Sequence, residues 1–170
     1  MKNKSAIRYG TYLGFSLILA NLVVFYGGLK ENAVVVNLSN VLLFSIFIYY
    51  SVYDCRENEK GGLISFKEAF IQGVKTSAFS ALLYAVYFYF YLTSIDPDIM
   101  ILMEESTRLE YANQGKSPEE VQEAMVQYEE HMGPGFMAAA SVAANVIFGG
   151  LISLPIAAIL KRMNPNQIEA

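Results

Sequence analysis

The sequence predicts an all-α fold: a four-helix transmembrane bundle with an acidic extracytoplasmic helical hairpin between spans three and four. Three observations carry that expectation. Of 170 residues, 54% are hydrophobic and only 16% are charged, whereas soluble domains carry about 25% charged residues. Four stretches of 20 to 25 residues contain no charge at all. Between Asp96 and Glu130, ten carboxylates stand against two basic residues. The same figures exclude a disordered chain, a nucleic-acid binder with a basic footprint, and most soluble enzymes of this length. A lone cysteine, Cys55, excludes an internal disulfide and any metal site built from several cysteines.

The uncharged stretches are Tyr9 to Leu29, Asn32 to Tyr53, Thr76 to Ile95 and Phe136 to Leu160. A hydrocarbon core of ~30 Å needs ~20 helical residues at ~1.5 Å rise each. The runs are apolar on every face, which fits helices and not the alternation of barrel strands. Spans are expected at about residues 9–29, 33–53, 70–95 and 136–160, in a single integral membrane domain of residues 1–170. The first span follows Lys2, Lys4 and Arg8 like a signal peptide. Its apolar run is longer than a signal core and no small-x-small cleavage site follows, so an uncleaved helix is expected.

Basic residues set the expected threading. With the N-terminus inside, nine of the twelve basic residues are cytoplasmic and only Lys30, Arg108 and Lys116 lie outside. The positive-inside rule then places both termini in the cytoplasm. The outer segment carries a local charge of -8, and the remaining cytoplasmic parts sum to +4.

The connections have their own signals. Gly27-Gly28-Leu29-Lys30-Glu31 makes a tight outer turn joining spans one and two. The next link starts polar at Asp54 and breaks at Gly61-Gly62, where glycine tolerates positive φ. Ser65 and Glu68 then form a capping box that opens span three. In the outer segment, residues 96–135, Asp96-Pro97 predicts a helix start and Gly115 a stop. Ser117-Pro118-Glu119-Glu120 predicts a second start, followed by the apolar stripe Val121, Ala124, Met125, Tyr128 and Met132. Gly133-Pro134-Gly135 ends that helix before span four.

With these pieces in place, the chain resembles an uncharacterised family of bacterial four-span inner-membrane proteins, domain of unknown function 4199, common in the Bacteroidetes lineage. The resemblance rests on the basic start (Lys2, Lys4, Arg8-Tyr9-Gly10), the cytoplasmic stretch Arg56 to Phe70, the acidic methionine-containing outer loop, and Leu160-Lys161-Arg162. Its most specific part is Gly61-Gly62-Leu63-Ile64-Ser65-Phe66, continuing to Ala69-Phe70. The resemblance covers essentially the whole length. It implies location in the bacterial cytoplasmic (inner) membrane with a multi-pass topology, and it implies no particular activity.

No catalytic constellation is legible. His131 is the single histidine, and its sequence neighbours Glu129 and Glu130 point to other helix faces. No nucleophile elbow, phosphate loop or HExxH motif occurs. A non-enzymatic protein with no catalytic residue, no cofactor and no metal is therefore expected. The spans contain no ionisable group of the kind that coupled transporters keep. Scattered glutamates of the outer hairpin, Glu104 to Glu130, lack calcium-loop spacing. Gly10-x-x-x-Gly14 and the small residues Ala138 to Gly150 are expected at close helix contacts. Pro155 is a candidate bend in span four. Expected partners are the lipid bilayer and a homo-oligomer or another membrane protein, with no nucleic acid. The leading role is a structural or accessory component of an envelope complex. Its rival is a small oligomeric transporter or channel component.

One candidate site comes from counting depth. Asn21, Asn40 and Asn145 each lie nine residues from the outer end of their span, and Tyr87 lies nine before Asp96. At ~1.5 Å per residue these groups share a level ~13 Å below the outer boundary. A candidate intramembrane polar layer is therefore Asn21, Asn40, Asn145 and Tyr87, in which amides pair across helices. The competing expectation is that each amide bonds to a nearby backbone carbonyl.

Overall fold

The computed structural model describes residues 3–30 and 32–162. Lys2, Glu31 and Glu169 of the charge count lie outside the described residues, as do the side chains of Glu129 and Glu130. Among the described residues the fold is all-α. In chain order the helices are α1 (Lys4–Tyr26), α2 (Ala33–Asp54), α3 (Phe66–Phe90), α4 (Asp98–Asn113), α5 (Pro118–His131) and α6 (Pro134–Leu160). Four of them, α1, α2, α3 and α6, are long and apolar enough to cross a membrane. Two wider π turns, Cys55–Glu59 and Tyr91–Ile95, extend α2 and α3.

The chain divides into two compact units. The first comprises Met1–Tyr84 and Val142–Ala170, and holds α1, α2, most of α3 and most of α6. Its core lies in one half. Buried residues stop at Leu17 in α1 and at Ala81 in α3, and start at Phe44 in α2. In the α6 part of this unit they start at Gly149. We call the half that carries the start of α1 and the end of α6 the base, and the other half the mouth.

Small residues close the base. A Cβ on Gly10 would lie 2.6 Å from Phe79 Cβ and 2.7 Å from the Thr76 carbonyl, so α1 and α3 touch at backbone distance. Gly73 of α3 packs on Ser153 of α6, and Gly149 of α6 packs on Ser77 of α3; neither site has room for a methyl group. Around these contacts Leu13, Phe44, Ile48, Val52 and Ile156 fill the apolar core. Below α6, the Ile64 amide donates to the Arg162 carbonyl (2.9 Å) and Arg162 returns the bond (2.8 Å). Arg56 Nη1 donates to the Leu160 carbonyl at 3.2 Å, supplying a donor to the last turn of α6. Helix α6 runs through Pro155 to Leu160 without a break in its assignment.

The second unit, Ala85–Ser141, contains α4 and α5. Arg108 of α4 donates to Gln122 of α5 at 3.2 Å. The expected capping box of α5 is complete, with Ser117 and Glu120 each accepting from the other's backbone. Asp96 departs from expectation. Tyr91 donates to its buried carboxylate at 3.3 Å, and α4 begins two residues later, at Asp98.

Candidate functional site in the mouth of the first unit

At the mouth, α2 and α6 diverge around a cleft of about 310 Å³. Asn37, Asn40, Val41 and Phe44 recur at three- and four-residue steps, so one face of α2 lines it. Asn145 and Phe148 of α6 stand opposite. Phe44 and Phe148 meet edge to face with ring centroids 5.0 Å apart and close the floor. A second, smaller cleft of about 80 Å³ is lined by Asn21 of α1, Ser39 and Asn40 of α2, and Tyr84 of α3.

Asn40 lines both clefts, with Asn21 on the smaller and Asn145 on the larger. Tyr87, the fourth residue of the layer, belongs to the second unit, where its ring is 5.8 Å from that of Tyr91. Sequence reasoning missed Asn37 and Tyr84. Each sits three residues before a residue it did single out, Asn40 and Tyr87, and that spacing is the signal that points to them.

The base has a polar constellation that the sequence reading treated as a mere link. The Glu59 carboxylate accepts from the backbone of Asn3 (3.2 Å) and Ser5 (2.7 Å). It therefore caps α1 from a distant element, and its negative charge meets the positive helix end. The Ser5 hydroxyl donates to Glu59 at 2.6 Å and also bonds Asp54, which pairs with Arg8 at 2.8 Å. The π turn brings Glu59 there, continuing α2 five residues past its α-helical end.

Above that constellation, buried hydroxyls line α3. Ser51 and Thr76 hydroxyls are 2.6 Å apart, and Gln72 Nε2 donates to Ser51 at 3.1 Å. Ser77 and Ser153 bond carbonyls of their own helices. Every buried side-chain polar atom among the described residues has a hydrogen-bond partner. Gln72, Thr76, Ser77 and Ser80 lie along one face of α3, a spacing that the sequence itself displays.

A cleft of about 340 Å³ opens at the base beside Glu59, Lys60, Glu68 and Lys75. Its charges are engaged: Lys75 Nζ donates to Asn3 at 2.9 Å, and Lys60 to Glu68 at 2.5 Å. The hydrogen bond to Glu68 holds the Lys60 ammonium above its ordinary pKa. In the second unit, the Ser117 backbone N–H holds the Glu120 carboxyl below the usual range. Exposed His131 places Nδ1 2.8 Å from the Gln127 carbonyl one turn back. Among the described residues no three His, Cys, Asp or Glu side chains gather closely enough to hold a metal ion. Cys55 is buried and free of any disulfide.

Comparison with known proteins gives one match. The profile of the family described as a protein of unknown function (DUF4199) matches residues 8–162. No curated protein and no solved structure matches the chain.

Proposed function

Because the chain belongs to the DUF4199 family of proteins of unknown function, we propose its role from its own geometry. It is a non-enzymatic integral protein of the bacterial inner membrane, acting as a structural or accessory component of an envelope complex. The observation that carries this reading is the tight helix packing at the base. Glycine-to-serine contacts hold α3 against α6, the interior hydroxyls are satisfied within the protein, and the uncharged stretches contain no Asp, Glu, Lys, Arg or His. Such a base resists conduction and suits a scaffold. Buried Cys55 and exposed His131 stand without a catalytic partner set, which favours a non-enzymatic role.

Affinity purification from the native membrane tests it: a stoichiometric membrane-protein partner is expected, and repeated isolation of this chain alone overturns it. Threading is tested separately. The charge asymmetry supports both termini in the cytoplasm with residues 96–135 outside. Alkaline phosphatase fused after Gly115 is expected to be active and a fusion after Gly62 inactive.

The clefts favour a second reading, an oligomeric transporter or channel component, since amides at the mouth offer a polar lining. Solute flux in proteoliposomes, with the purified protein as an oligomer, would select it.

A further inference from the structure

We propose that the first turns of α4 insert into the outer surface of the bilayer, so that the segment after span three is a membrane-interface anchor with lipid acyl chains as its partner. The inference rests on the membrane reading above and concerns the second unit alone.

After its first residue, Asp98, helix α4 has five consecutive apolar residues, Ile99-Met100-Ile101-Leu102-Met103, and its charges resume at Glu104. The helix buries none of its residues. Ile101 is 62% exposed and Leu102 55% exposed. Helix α5 behaves differently, because it places Val121 and Met125 in the interior. Ile99, Met100 and Met103 are half-buried, and an apolar block left only partly covered by its own protein calls for an apolar partner.

Geometry selects the lipid. The block follows the π turn Tyr91–Ile95, which ends the apolar stretch of α3, after only three residues, Asp96-Pro97-Asp98, so it starts close to the end of the candidate span. Five residues at ~1.5 Å rise span roughly 7 Å, which matches the ~5–10 Å to which interfacial helices sink. From Ile99 to Met103 the block is apolar on every side of the helix. A soluble helix docking on a protein would instead show a single apolar stripe, as α5 does. The carboxylates that follow, Glu104, Glu105 and Glu110, keep the rest of α4 in water.

The chain contains no tryptophan, so single substitutions report depth without background. Three variants are made in proteoliposomes of phosphatidylethanolamine and phosphatidylglycerol containing brominated lipid: Ile101→Trp, Val126→Trp on exposed α5, and Leu151→Trp on the lipid-facing side of span four. Far-ultraviolet circular dichroism checks that each remains helical, and Leu102→Trp replaces Ile101→Trp if that one does not fold. The expected result is blue-shifted emission at position 101, with several-fold greater quenching by shallow-brominated lipid than at position 126. Position 151 should respond to deep-brominated lipid. If 151 is quenched but 101 is reached only by aqueous acrylamide, or by neither quencher, the anchor is refuted and the membrane reading stands. If 151 is not quenched either, the membrane reading fails with it.

Discussion

The base and the mouth of the first unit are built from the same four helices, yet their helices meet differently: the base buries its residues in tight helix contacts above a charged rim cleft, and the mouth buries none. At the base, glycine meets serine, hydroxyl meets hydroxyl, and a carboxylate caps a foreign helix. At the mouth, asparagines line clefts of about 310 and 80 Å³. The difference teaches that apolarity puts a helix in a membrane but small residues decide where helices touch. Lipid tails are as apolar as leucine, so close backbone approach and hydrogen bonds supply the association energy. The base has both; at the mouth, Ala20, Ser39 and Ala144 line the clefts beside the asparagines.

The strongest way to break this contrast is to enlarge a glycine. Gly73→Val drives a branched side chain into Ser153, where there is no room for even one methyl. Overpacking of this kind costs about 1–3 kcal/mol, and the expected loss is at the upper end because the neighbour is helix-bound on α6. Ala144→Leu at the mouth faces open space and should stay within about 0.5 kcal/mol. Reversible unfolding in mixed micelles compares the two. Equal destabilisation would mean that the mouth is packed as tightly as the base.

A gentler pair removes polar groups. Ser51→Ala takes a partner from Gln72 Nε2 and from Thr76, which keeps its bond to the Gln72 carbonyl, and hydrogen bonds within membrane bundles are worth ~0.6–2 kcal/mol. Asn40 is half-buried and opens onto both clefts, so Asn40→Ala should cost less than about 0.5 kcal/mol. The same unfolding assay ranks them. An Asn40→Ala loss as large as that of Ser51→Ala would sharpen the picture in favour of an intramembrane amide layer that bonds across helices.

How much of this was legible varies residue by residue. Helix number and type followed from uncharged length, because a bilayer leaves the backbone no other way to satisfy its polar groups. Gly10, Gly14 and Gly149 were flagged as contact residues from composition alone, and the capping boxes at Ser65 and Ser117 from local chemistry. Their partners were not legible: nothing local says that Gly73 faces Ser153, or that Glu59 reaches Ser5, 54 residues away in sequence. The π turn that carries Glu59 there is a tertiary outcome, since Arg56-Glu57-Asn58 reads as a solvated link. Depth counting put Asn21, Asn40, Asn145 and Tyr87 at one level because helical rise is regular, but level along a helix does not give direction around it; Asn40 lines both clefts, with Asn21 and Tyr84 on the smaller one.

The smallest expected effect concerns the charges at the base. Lys60 and Glu68 form an ion pair whose side chains are 42% and 44% exposed, so water screens most of its energy and about 0.2–1 kcal/mol is the expected scale. The hydrogen bond that Lys60 donates to Glu68 raises the Lys60 pKa above its unfolded value. Its contribution is therefore fully present below the ordinary lysine range and is lost as pH rises through the raised value. Lys60→Met should lower stability slightly at pH 7 and abolish that alkaline loss, while leaving the mouth untouched, because Asn37, Asn40 and Asn145 do not titrate. Unfolding curves of wild type and Lys60→Met between neutral and strongly alkaline pH make the measurement. If the two proteins lose stability in parallel as pH rises, the alkaline sensitivity lies elsewhere, and closure of the base owes nothing to this pair beyond the glycine and hydroxyl contacts above it.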